Sequence, residues 1–316
     1  MKTATVYIKT MAYVWLKSLL CLISVAVAVI LYFTLYIGLS LIGEGPGATG
    51  FIVWLILVPF IYPMIRYFFG HRIEAGHLNA INEAISTEHL PIALLSTMDV
   101  EAYEQFPFFS TYKEVELAAF NCVKQLYERI DASTDLFKDT NYRNWQVKIV
   151  RKAIIKYYLS YISLACVGQI FAKSHQKQER TLVQSISAFY THWTLFFDKT
   201  PTRVSRMVIS TAITWVIMTA ASITVSLLIG GAGIMVAILG IAIGYILAAG
   251  IKVSFIDPIH IIRSMKVFSE ISVGNCNERS VYENMAAISP AFAKLWQKLD
   301  GTVTNTADII KQNNDI

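Results

Sequence analysis

SLLCLISVAVAVILYFTLYIGLSLIG, residues 18–43, contains no charged side chain, and three further runs share that property. They are FIVWLILVPFIYPMI (51–65), MVISTAITWVIMTAASITVSLLIG (207–230) and IMVAILGIAIGYILAAGI (234–251). A helix rises about 1.5 Å per residue and the hydrocarbon layer is about 30 Å thick, so roughly 20 apolar residues cross it. Residues 51–65 fall short of that length alone. Arg66, beside Tyr67, Phe68 and Phe69, completes the run, because a guanidinium can snorkel to the headgroups while aromatic rings sit at the interface. The chain therefore reads as an all-α integral membrane protein: two transmembrane hairpins flanking a charged middle of about 135 residues.

Composition agrees with that class: 55% of the 316 residues are hydrophobic and the net charge is only +5. No Lys/Arg-rich block with interleaved aromatics is present, so no direct nucleic-acid partner is expected. Cys21, Cys122, Cys166 and Cys276 form neither a CxxC nor a zinc spacing and read as reduced, structural thiols. Lys2, Lys9 and Lys17 precede an apolar stretch longer than a cleavable signal core, which predicts a retained signal anchor.

Lys and Arg near the span ends give the expected orientation. Lys17, Arg66, Arg72, Lys199, Arg203, Arg206, Lys252 and Arg263 all fall on one side, whereas the turns at 44–50 and 230–233 carry no base. Both termini and the middle are expected in the cytoplasm, with the lipid bilayer as the first partner.

The middle changes sign along its length. Residues 73–139 hold twelve acids against four bases, and residues 140–206 hold two acids against eleven bases. The acidic half predicts solvated amphipathic helices, as at 111–130, where Val115, Ala118, Ala119, Cys122, Leu126 and Ile130 recur at helical spacing. In the basic half, two apolar runs, 157–172 and 182–197, flank a basic tip and predict an interfacial or re-entrant hairpin in preference to a third transmembrane pair, whose tip would break the positive-inside bias. The expected divisions are 1–70, first hairpin; 71–142, acidic helical region; 143–200, basic interfacial hairpin; 201–256, second hairpin; and 257–316, amphipathic tail. Arg66, Arg143, Lys148, Arg151, Lys152, Lys156, Arg203, Arg206 and Lys252 are the expected lipid-headgroup contacts. Asp257-Pro258 and Ser289-Pro290 each read as a helix start, with the first oxygen capping free N–H groups and proline in the first turn.

Chemistry-bearing clusters are few. His71, Glu74, His77 and Glu83 lie close in sequence, but histidines six apart diverge around a helix, and the spacing is not that of H-E-x-x-H. No metal, cofactor or catalytic set is assigned. In the third span Thr211, Thr214, Thr219, Ser222 and Ser226 form a hydroxyl stripe, and Gly240 and Gly244 in the fourth make a GxxxG pair, a packing signal that suits it. The same stripe is the one candidate for a pathway. Proton-coupled carriers place ionisable groups deep in their spans, and none lies there.

The segments FGHRIEAGHLNAINEAISTEHLP (69–91), KYYLSYISLACVGQIF (156–171) and FIDPIHII (255–262) resemble a loose group of uncharacterised bacterial multi-pass membrane proteins. The resemblance implies inner-membrane localisation and the order of hairpins, and no activity. The chain departs from the group where Ser163, Leu164 and Ala165 stand in place of acidic residues. Taken together, the expectation is a non-enzymatic subunit or scaffold of a membrane assembly for transport, secretion or DNA transfer, either a homo-oligomer or joined to other subunits. An oligomeric channel or passive transporter is the alternative. A lipid-modifying enzyme using His71, Glu74 and Asp257 comes third.

Overall fold

The computed structural model describes residues 2–87, 94–134, 145–173, 176–197, 200–230, 233–271 and 279–300, and among them every regular element is a helix. In chain order these are α1 (Thr3–Lys9), α2 (Met11–Tyr32), α3 (Glu44–Ser86), α4 (Leu94–Gln105), α5 (Phe109–Thr134), α6 (Trp145–Ala172) and α7 (Gln178–Thr191). There follow α8 (Trp193–Phe197), α9 (Thr200–Gly230), α10 (Ile234–Ile251), α11 (Asp257–Glu270), α12 (Arg279–Ile288) and α13 (Pro290–Asp300). Two π-helical segments, Phe33–Gly38 and Lys252–Ile256, extend α2 and join α10 to α11.

Among the described residues four helices are long and apolar enough to cross a membrane: Met11–Gly38, Glu44–Ser86, Arg206–Gly230 and Ile234–Glu270. The second and fourth continue far past their apolar runs. At about 1.5 Å per residue the 43 residues of α3 reach about 64 Å, twice the hydrocarbon thickness. Its character changes on the way. Up to Tyr62 buried positions are sparse, whereas residues 74–81 are buried without a break. A helix covered on all sides sits inside protein. That half of α3 is the central post of a helical head.

In the membrane-length part, α3 packs on α2, α2 on α10, and α10 on α9, which leaves α9 at the edge. Trp54 of α3 is fully buried between Tyr32 and Phe51, and its indole N–H donates to the Ala28 carbonyl at 2.9 Å. At Gly50 the backbones of the first hairpin nearly touch: an added Cβ would lie 1.8 Å from the Leu35 carbonyl oxygen, inside the first π segment. The second hairpin closes in a similar way. A Cβ on Gly240 would lie 2.6 Å from Ile223 Cα, and one on Gly244 2.6 Å from Thr219 Cα. The glycine face of α10 is thus occupied by the hydroxyl stripe of α9, as small-residue helix packing requires.

The head has its own core, built from α1, the distal half of α3, and α4 to α8 with α11 to α13. Here the apolar runs of the basic half acquire a different explanation from the expected interfacial hairpin. Residues 161–171 of α6 and 181–189 of α7 are buried at every position, packed among α3, α5, α11 and α13. A helix resting on headgroups leaves one face to lipid, and these stretches leave none. Their apolarity is spent on protein neighbours.

The two proline starts also diverge. Ser289 caps α13 as expected: its Oγ accepts from the Phe292 N–H at 3.2 Å and donates to Gln125 Oε1 at 2.8 Å. Asp257 makes no such cap, and helical residues run through it without a break from Ile234 to Glu270. Pro258 lacks an N–H and its ring would crowd the carbonyl four residues back, at Ser254. The chain absorbs this by widening residues 252–256 into a π turn and running on into α11, whose Ile261, Ile262, Met265 and Phe268 enter the head core.

Candidate functional site

Three expected membrane-end cations converge where the spans meet the head. Lys17 closes the lower turn of α2, Arg66 follows the apolar run of α3, and Lys252 follows that of α10. None of the three reaches outward as a plain headgroup contact. Each turns to a buried partner.

Arg66 lies along α3 and bonds Glu74, eight residues further on, with Nη2 3.0 Å from Oε1. Gly70 leaves room for that path, because a Cβ there would lie 2.9 Å from the Arg66 Cγ. Glu74 is buried, and its charge also acts on Lys17. Lys17, 7% exposed, donates from Nζ to His77 Nδ1 at 2.8 Å. That contact makes Nδ1 the acceptor and puts the imidazole proton on Nε2, which faces Thr10 Oγ1 at 3.3 Å. Thr10 in turn donates to the Val6 carbonyl at 3.1 Å. The result is a directional chain from Lys17 to the kink between α1 and α2, with the Tyr13 ring stacked on His77 at 5.5 Å. One turn along the head, Glu116 of α5 bonds Lys113 and feels Glu74.

The second centre follows from the π turn. Residues five apart point to different sides of an α-helix, whereas a π turn brings residue i+5 over residue i. Lys252 Nζ accordingly sits 3.0 and 3.3 Å from the two oxygens of Asp257, with its charge 3.9 Å above the Tyr157 ring. From α6, Tyr161 donates to Oδ1 at 2.7 Å and Tyr157 to Oδ2 at 3.2 Å. Each carboxylate oxygen thus takes two donors, its full capacity. Burial, and then the Asp257 charge, push the Tyr161 phenol above its ordinary range, so it remains a donor. The His260 ring stacks on Tyr161 at 5.2 Å. Asp257 also acts electrostatically on Lys17 and Arg66, which joins the two centres into one ionic joint across α2, α3, α6 and the α10–α11 junction.

Asp257→Asn keeps the shape of this centre but strands Lys252, 19% exposed at its side chain, beside two phenols that have lost their anion. Breaking a buried pair from one side costs about 3 kcal/mol. Thermal unfolding of the purified protein should show the loss, and adding Lys252→Met should recover part of it. An unchanged midpoint in the single variant contradicts the assignment.

Glu116 gives the joint a pH dependence. Burial first, and the neighbouring Glu74 charge second, raise its carboxyl above the ordinary value. An acid raised in the folded state contributes stability when protonated, and the contribution is lost as pH rises through the folded value. Glu116→Gln is expected to stabilise the protein at neutral pH and to flatten this falling arm. Unfolding midpoints across pH 4 to 8 would check it, and a neutral-pH loss in the variant contradicts it.

The other expected site residues are dispersed. His71 packs edge-on against Phe109, whereas His77 bonds Lys17. No group of three metal-ligating side chains occurs among the described residues. In the hydroxyl stripe Ser222 is buried at the α10 contact, Thr211, Thr214, Thr219 and Ser226 are half-buried, and Thr214 bonds the Ser210 carbonyl at 2.8 Å. Lys156 and Arg206 are exposed. Arg143 lies outside the described residues, as do the side chains of Lys148, Arg151, Lys152 and Arg203.

No protein-family model, curated protein or solved structure matches the chain. The joint was legible only in fragments. Thr10, Tyr13 and Lys17 share a helix face, and Glu74 and His77 stand three apart, but Lys17 reads as a topology signal until its partner 60 residues away is in view. Tyr157 and Tyr161, four apart, pass for core aromatics until Asp257 lies between their hydroxyls.

Proposed function

We propose that the chain is a multi-pass protein of the bacterial inner membrane, with both termini cytoplasmic, acting as a non-enzymatic subunit or scaffold of a membrane assembly. The observation that carries this reading is the edge helix. The apolar window of α9 is 6% buried, against 33% for each of the spans containing α3 and α10. Ile213, Val216, Ile217, Val225 and Leu228 face outward, and the hydroxyl and glycine faces that help helices pair are already used inside the hairpin. The outer face of α9 is therefore the place where a second copy or another subunit pairs within the bilayer, and the head is carried on the side of Lys17, Arg66 and Lys252. The channel alternative gains less support, because a pathway along the stripe would require α9 to leave α10.

Photocrosslinkers at Val216 and Leu228, compared with one at Leu22 on the exposed side of α2, test the reading in native membranes. Discrete protein adducts at the α9 positions alone are expected. Lipid adducts at all three positions would remove the assembly role and leave the membrane placement intact.

A further inference from the structure

The acidic half of the head, expected to be solvated, carries an exposed aromatic turn close to the membrane end of α3. It is formed by Phe106-Pro107-Phe108, between α4 and α5, together with Phe109, which opens α5. Phe106 is buried in the head, and Phe109 packs its ring 3.9 Å from Tyr67 and 5.2 Å from His71. Tyr67 lies 23 residues beyond Glu44, about 35 Å along the helix, at the depth where a hydrocarbon layer of about 30 Å gives way to headgroups. His71 is about 6 Å deeper into the head. Contact with both fixes the turn within one helical turn of the boundary. Phe108, next in the chain, is 66% exposed, in company with exposed Tyr67, Phe68 and Phe69. Lys113 stands one turn along α5, with its Nζ 5.9 Å from the Phe109 ring centre.

We propose that this turn inserts Phe108 into the headgroup layer, so that the lipid surface itself is the ligand of the α4–α5 aromatic patch. The inference rests on the membrane placement given above. Lipid is the occupant because the patch continues the aromatic girdle at the end of a membrane-length helix, where rings of this kind partition to the interface. It also has a task there. With twelve acids against four bases, residues 73–139 are repelled by an anionic leaflet, and an apolar anchor beside Lys113 holds them against it.

Nitroxide labels test this in liposomes of phosphatidylethanolamine and phosphatidylglycerol, in a Cys276→Ser background whose other cysteines, Cys21, Cys122 and Cys166, are buried. The labelled sites are Phe108→Cys, Val216→Cys as the bilayer reference, and Glu128→Cys as the aqueous one. Collision with oxygen relative to a water-soluble nickel chelate should be severalfold higher at 108 than at 128, on the side of 216. A value at 108 equal to that at 128, with 216 still oxygen-favoured, overturns the proposal and spares the membrane placement. Aqueous values at both 108 and 216 overturn the two together.

Discussion

Glu74→Gln is expected to lower the stability of the purified protein by about 3 kcal/mol, the low end of the cost of removing one partner from a buried ionic network, because Arg66 is 39% exposed at its side chain. Glu74 bonds Arg66 at 3.0 Å and faces Lys17, which is itself buried against a histidine rather than a carboxylate. Its neutralisation leaves both cations without their nearest anion. One effect opposes the loss, since Glu116 is relieved of a like charge. Glu116 is only partly buried and bonded to Lys113, so that relief is the smaller term. Thermal or denaturant unfolding in detergent would read the change, and Glu74→Gln with Lys17→Met should cost less than the two single losses combined. Strict additivity would show that Lys17 and Glu74 are not coupled, and an unchanged midpoint in Glu74→Gln would show that the joint does not hold the fold.

Gly50→Ala is expected to destabilise the first hairpin by about 3 kcal/mol, at the upper end of ordinary overpacking costs. Helix propensity alone predicts the reverse sign, because alanine is favoured over glycine by about 1 kcal/mol in a helix interior. The packing effect wins because the atom in the way is the Leu35 carbonyl oxygen, 1.8 Å from the new Cβ, and a backbone atom cannot step aside by changing rotamer. Gly45→Ala supplies the contrast on the same helix, since a Cβ there meets nothing within 4 Å. Unfolding midpoints of the two variants should move in opposite directions. A shared upward shift would mean that the close approach at Gly50 does not persist in the folded protein.

How much of this could be read from the residues depended on whether a signal was local. The four membrane-length apolar helices were legible because each holds an unbroken apolar run, and the Ser289 cap because a hydroxyl before proline is completed within three residues. The runs at 157–172 and 182–197 were ambiguous for a physical reason. Apolarity all round a helix records that water is absent, and it does not say whether lipid or protein replaced it. Asp257-Pro258 presented the same difficulty in another form. A carboxylate before proline suits a capped start, and only the π turn that sets Lys252 over Asp257 reveals a helix that never stops. The joint was least legible, because its contacts join residues 60 and 100 positions apart.

Arg66 bound to Glu74 and Lys252 bound to Asp257 bear on how the chain is made. Each hairpin brings its own counter-charge, the first within eight residues of its cation and the second within five. Asp257 is synthesised 183 residues after Glu74, an interval of about 10–40 s at roughly 5–20 residues per second. On the membrane placement proposed above, Arg66 is therefore paired throughout that wait, and only Lys17, bonded to His77, shares its anion until the second hairpin arrives.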